Sequence, residues 1–141
     1  VEMLKKMENV DADRMAIAGH CMGGRVSFLG ASSIRAFKCN VAYYSGNMFK
    51  VMGDGDAPPF EKFADLRGPV IGFFGEDDQN PSPEDVAKID AKLTELGVAH
   101  EFHSYEGAGH AFQNFNNPDN YRAAATADSF AKMIAWLRQN L

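Results

Sequence analysis

At 141 residues, with 45% hydrophobic and 23% charged side chains, the chain has the length and balance of one globular domain rather than a disordered segment. Nineteen acidic against fourteen basic residues give a net charge of −5, which argues against the basic face that nucleic-acid binding needs. The longest apolar runs, such as Val70 to Phe74, fall far short of the roughly 20 residues that cross a bilayer, and no charged-then-apolar leader stands at the start. A soluble, cytoplasmic domain is expected, with neither membrane nor nucleic acid as partner.

In chain order, Val1–Met7 reads as helix-like, so the sequence opens inside an element. Met15–Ala18 is the first strand run, followed by a helix over Met22–Ser33. Val41–Tyr44 and Val70–Phe74 are nearly continuous in apolar or aromatic character, as strands covered on both faces are. Ser82 is a helix cap with Pro83 at the first helical position; Val86, Ile89, Leu93 and Leu96 recur at helical spacing, and Gly97 ends the run. Glu101–Tyr105 is the last strand. Asn117-Pro118 repeats the helix-start signal, and Phe130, Met133, Ile134 and Leu137 form the apolar stripe of a C-terminal helix. Strands alternating with helices predict an α/β fold, a three-layer αβα domain over residues 1–141 with a mostly parallel sheet of about four strands.

That layout puts Cys21 at the C-terminal end of one strand and Cys39 at the start of the next. A five-residue strand spans about 17 Å, beyond the Cα separation of about 4.4–6.8 Å that a disulfide tolerates. Both thiols are expected to be free, which suits a reducing compartment.

Three short motifs carry chemistry. Gly19-His20-Cys21-Met22-Gly23-Gly24 lies between the first strand and its helix. Small residues on both sides of a nucleophile are what a tight strand-to-helix turn requires, because the nucleophile takes a strained backbone conformation there. The turn lifts the thiol above the sheet edge and next to a helix N-terminus, whose dipole favours thiolate. The Met22 N–H would then supply one half of an oxyanion hole. A glycine-rich turn holding a buried cysteine fits the same residues. Gly75-Glu76-Asp77-Asp78 follows the third strand run, where parallel sheets keep their sites, although an acidic loop there is also ordinary solvated surface. Gly107-Ala108-Gly109-His110-Ala111-Phe112 follows the last strand and offers a histidine that small neighbours leave free to reach over the sheet edge.

Together the three stand in the order nucleophile, acid, histidine. With Arg25 and Tyr105-Glu106 added to the motifs, the sequence resembles the dienelactone hydrolase family over essentially its whole length. The resemblance implies the C-terminal part of an α/β-hydrolase fold and hydrolysis of an ester or lactone through a Cys–His–Asp triad and an acyl-thioester intermediate, with no metal or organic cofactor. It implies Cys21 as nucleophile, His110 as base and Asp78 as acid, with Asp77 as the alternative, and the Met22 N–H as oxyanion donor. Family members carry an upstream half whose strands bring the other oxyanion N–H, an activating glutamate and a carboxylate-binding arginine. This chain starts just before the nucleophile strand, so the resemblance covers the C-terminal half only. A second arginine that the family places four residues after the histidine is Asn114 here, which turns the expectation toward a neutral ester or lactone. The alternative function is a weak or inactive fragment that serves as a dimerising or binding module.

A central strand with an open edge is a template for pairing, so a homo-oligomer joined through the first strand is expected. His100 and His103 fall on opposite faces of a strand and do not suggest a metal pair. Asp54-Gly55-Asp56 reads as a turn, Arg25 as a helix-surface ion-pair partner, and Phe49, Met52, Phe60 and Phe63 as core packing rather than a lid.

Overall fold

The computed structural model describes residues 1–141. Four strands, β1 (Met15–His20), β2 (Phe37–Tyr43), β3 (Val70–Gly75) and β4 (His100–Tyr105), form one sheet in the order β1-β2-β3-β4, each neighbouring pair parallel. The helices are α1 (Met22–Ser33), α2 (Pro83–Glu95) and α3 (Ala123–Asn140), with 3₁₀ turns at Leu4–Lys6 and Pro59–Asp65. The predicted αβα architecture is the observed one. No helix is long and apolar enough to cross a membrane.

Strand alternation divides the core in two. Cys39, Val41 and Tyr43 of β2 and Ile71 and Phe73 of β3 face α3, where they meet Ala125 and Trp136. Ala42 and Val70 face the other way, against Phe28 and Ala31 of α1, Ile89 and Leu93 of α2, and Met48, Phe63 and Leu66 of the β2–β3 connection. Both middle strands are covered on both sides, which explains the apolar runs at Val41–Tyr44 and Val70–Phe74. Asn40, also inside β2, is buried with neither amide atom hydrogen-bonded. Its polarity, with that of Lys38, hides the first half of the strand, which begins at Phe37 rather than at the expected Val41.

The α2 signals act as read: the Ser82 Oγ accepts from the Asp85 N–H at 3.2 Å, and Gly97 takes a positive φ of 68° just past the end. Several expectations are corrected. Val1–Met7 makes only a single 3₁₀ turn with no buried residue, so it lacks the tertiary packing that sustains short helices. The C-terminal helix starts at Ala123, not Asn117, because residues 117–121 are spent in turns that feed the Arg122 N–H back to the Phe112 carbonyl. Phe130 is exposed, and Trp136 takes the core position in its place. Phe63 is fully buried against Phe28, half-buried Phe60 carries the partly exposed Phe49 ring at 4.7 Å, and Met52 is exposed.

Candidate active site

The elbow after β1 has the geometry its glycines allow. Cys21 sits at φ 54°, ψ −118°, a left-handed backbone that costs any side-chain-bearing residue energy. It is held there by its N–H, which donates to the Tyr43 carbonyl at 3.0 Å, and by its carbonyl, which accepts from Gly24 and Arg25 in the first turn of α1. A Cβ on Gly19 would lie 1.9 Å from the Gly23 carbonyl oxygen, and one on Gly24 would lie 2.1 Å from the Ser45 Oγ. Gly23 itself has open space around it, so Gly19 and Gly24, rather than Gly19 and Gly23, are the sterically required pair. Cys21 is exposed above the sheet edge and Cys39 is buried; both are free thiols. Met22 supplies the first N–H of α1, which helix geometry leaves without an intrahelical acceptor.

His110 starts from the far side of the sheet. β4 lies three strand spacings from β1, roughly 14 Å, so the loop after β4 must return across β3 and β2. It crosses directly over Gly75, where a Cβ would come 2.2 Å from the Ala108 oxygen. Fully buried Ala108 and Phe112 anchor it on either side of the histidine, and Ala111 at φ 59° turns the chain. The ring thereby reaches both neighbours: Nδ1 stands 2.9 Å from Asp78 Oδ2, and Nε2 stands 3.0 Å from Cys21 Sγ.

Between the two acidic candidates the positions differ sharply. Asp78 is 2% exposed and touches the ring; Asp77 is exposed, and its main-chain N–H fastens the histidine loop through the Ala108 carbonyl. The Asp78 hydrogen bond, opposed by partial burial and helped by the bond to Cys21, holds the His110 imidazole up at about 9. Tyr44, buried at the end of β2 with φ 36°, presents its ring edge-on to His110 at 5.3 Å. Burial foremost, with the neighbouring Tyr43 and Cys21, raises its phenol and keeps it protonated.

Sequence reasoning missed Tyr44 and a second network beside the site. His20 stacks on Tyr43 at 4.4 Å and shares a 2.8 Å hydrogen bond with Gln113 Oε1, while Gln113 Nε2 donates to the Ser129 Oγ. His20 stands inside the elbow motif and Gln113 directly after the histidine motif, whereas Tyr44 carried no signal beyond its place at the end of a predicted strand. Arg25 departs from expectation: it is 4% exposed, makes no ion pair, and donates to the Asn47 carbonyl. Burial lowers its guanidinium pKa. His100 pairs with Asp90 and His103 with Glu101, and no three His, Cys, Asp or Glu side chains are grouped to hold a metal ion. Asp56 pairs with Lys62 at 2.9 Å beside the exposed Asp54-Gly55 turn. The largest concavity, about 430 Å³, lies at the opposite end of the strands from Cys21, between Leu66–Pro69 and Leu96–Ala99.

Comparison with known proteins follows the same outline. A protein of Methylorubrum extorquens named "Putative carboxymethylenebutenolidase" is 32% identical over 99% of this chain and 47% of its own length. One of the same name from Escherichia coli K12 is 32% identical over 92% of this chain and 47% of its own. The chain thus spans about half the length of the curated relatives it matches. A crystal structure from Klebsiella pneumoniae, described as a "Putative Dienelactone Hydrolase", superposes with a TM-score of 0.84 at 28% identity, covering 94% of this chain and 55% of that one. A dienelactone hydrolase-like promiscuous phosphotriesterase from metagenomic libraries shares the fold at a TM-score of 0.81 and 19% identity, over 99% of this chain and 57% of that one. The family model described as "Dienelactone hydrolase family" matches residues 1–141, and the chain belongs to that family.

Proposed function

We propose that this chain carries the catalytic residues of an ester or lactone hydrolase that works through Cys21. One observation supports this above the rest: a single imidazole bridges an exposed thiol at 3.0 Å and a buried carboxylate at 2.9 Å, with the thiol on a left-handed elbow. Family membership supports the same reading.

In the proposed cycle His110 Nε2 takes the Cys21 proton, and Sγ attacks the carbonyl carbon of the substrate. The carbonyl π pair moves to oxygen, where the Met22 N–H donates to it. Collapse of the tetrahedral species breaks the C–O bond, and His110 returns its proton to the departing alkoxide. In a lactone that alcohol stays tethered to the acyl group. Water then attacks the thioester, giving a proton to His110; the second collapse releases the acid, and the proton returns to sulfur. Asp78 holds the ring with Nδ1–H toward itself and Nε2 toward sulfur throughout. No cofactor enters the scheme. Asn114 is uncharged and its Oδ1 accepts from the Asn116 N–H, which supports a neutral ester or lactone as substrate. The reading places the protein in the cytoplasm, where a thiol nucleophile stays reduced.

An intact mass spectrum after brief exposure to p-nitrophenyl acetate, with Cys21→Ala run in parallel, tests this. An acetyl adduct present only on the parent, and decaying with time, is the expected result. Equal labelling of both proteins, or none of either, refutes it. We also propose that the chain self-associates through β1, whose only strand partner is β2 and whose outer edge offers main-chain N–H and C=O groups to a second copy.

A further inference from the structure

We infer that Arg25 is a positioning residue for the Asp78–His110 pair, acting through the Asn47 main chain and the Asn80 side chain. The inference rests on the Cys21 reading above. A guanidinium removed from water normally keeps a carboxylate beside it, yet Arg25 is 4% exposed with no ion-pair partner and spends its donor on the Asn47 carbonyl. That carbonyl belongs to the loop after β2, which is left-handed at Tyr44 (φ 36°) and Asn47 (φ 56°). Such a loop persists only where its surroundings hold it.

Arg25 holds one side of the loop and Asn80 the other. The Asn47 N–H donates to Asn80 Oδ1 at 2.8 Å, and Gly46 lies so close that a Cβ there would be 2.7 Å from the Asn80 main-chain carbonyl oxygen. The Asn80 N–H in turn donates to Asp78 Oδ1 at 2.8 Å, leaving Oδ2 for His110. Both oxygens of the carboxylate are therefore committed, and its plane follows the placement of Asn80. The Arg25 main-chain N–H donates to the Cys21 carbonyl, so the circuit closes on the elbow itself. Cys21, His110, Asp78, Asn80, Asn47 and Arg25 form one ring of hydrogen bonds that ties α1 to the loops after β2, β3 and β4. Arg25 fixes the distance between thiol and imidazole without touching either.

The test compares Arg25→Met, Arg25→Lys and Asn80→Ala in the full chain. It reads the rate of Cys21 acylation by p-nitrophenyl acetate over a range of ester concentrations, the downfield proton resonance of the His110 Nδ1–H, and the melting temperature. Arg25→Met and Asn80→Ala should slow maximal acylation about ten- to a hundredfold, the scale of a small misplacement of reacting groups. The half-saturating ester concentration should stay within about twofold and the resonance should shift or broaden. Arg25→Lys retains a donor for Asn47 and should recover most of the rate. Asn80 is exposed, so its loss tests the ring without emptying the core. An unmoved resonance and an unchanged rate in both truncating variants overturn the inference. So does a rate loss that Lys fails to rescue and that only tracks the melting temperature. If the parent shows no Cys21-dependent acylation, the catalytic reading fails by itself, and the resonance alone then decides whether Arg25 positions the pair.

Discussion

Replacing Asp78 by Asn removes the largest single influence on His110 while keeping the side chain's shape. The imidazole is raised from 6.5 to about 9, chiefly by its hydrogen bond to Asp78. Folding therefore favours the protonated ring. That contribution is complete below about pH 6.5, where the ring is protonated in both folded and unfolded chains, and it is lost as the pH climbs through about 9. Taken at face value the shift corresponds to roughly 3 kcal/mol. The His110 side chain is 34% exposed, and screening by water reduces the figure to about 1–2 kcal/mol. Urea denaturation of parent and Asp78→Asn at several pH values reads this directly. Both should be measured with Cys21→Ala in the background, so that the thiol does not titrate with the ring. The gap between them should be about 1–2 kcal/mol near pH 6 and should narrow above about pH 9. A gap that stays constant or widens over that range would refute the charge arrangement deduced from the geometry.

Three further outcomes are expected. Gly19→Ala should destabilise the fold by about 3 kcal/mol or more, because its Cβ would meet the Gly23 carbonyl at 1.9 Å; an urea midpoint near the parent's would contradict this. Iodoacetamide near neutral pH should label Cys21 at least a hundredfold faster than Cys39, which is 2% exposed and whose thiol burial pushes up to about 11; peptide mapping over time gives the ratio, and comparable rates would mean that the sheet opens around β2. Light scattering at micromolar concentration should find a dimer or larger species if β1 pairs with a second copy, and a clean monomer refutes that pairing.

The sequence exposed whatever depends on local chemistry. Gly19 through Gly24 state a turn in their own composition, Ser82-Pro83 states a helix start, and β3 shows its double burial in an unbroken apolar run. Residues whose meaning comes from distant partners were hidden. Nothing near Arg25 in the chain reveals that the Asn47 loop will close over it, and an arginine on a helix is ordinarily exposed. Asp77 and Asp78 are equivalent as letters; the Asn80 N–H and the return of the histidine loop separate them. Asn117-Pro118 carries a sound local signal, but the following residues are used in turns that lead the chain back to Phe112. Tyr44 lay at the end of a predicted strand, and its positive φ, which aims the ring at His110, is set by the fold and not by its own preference.

The placement of the two cysteines also determines what oxidation does to the protein. Cys39 pairs in register with Ala16, about five residues, or roughly 17 Å, back along the strand from Cys21. It is sealed under α3 among Val41, Tyr43 and Trp136. A sulfenic acid formed at Cys21 would therefore find no second thiol within the chain to condense with. Its recovery would depend on a thiol from outside these 141 residues reaching the exposed Cys21. Without one, the next oxidation step is irreversible, and under the role proposed for Cys21 the surrounding thiol supply would set how long the site stays competent.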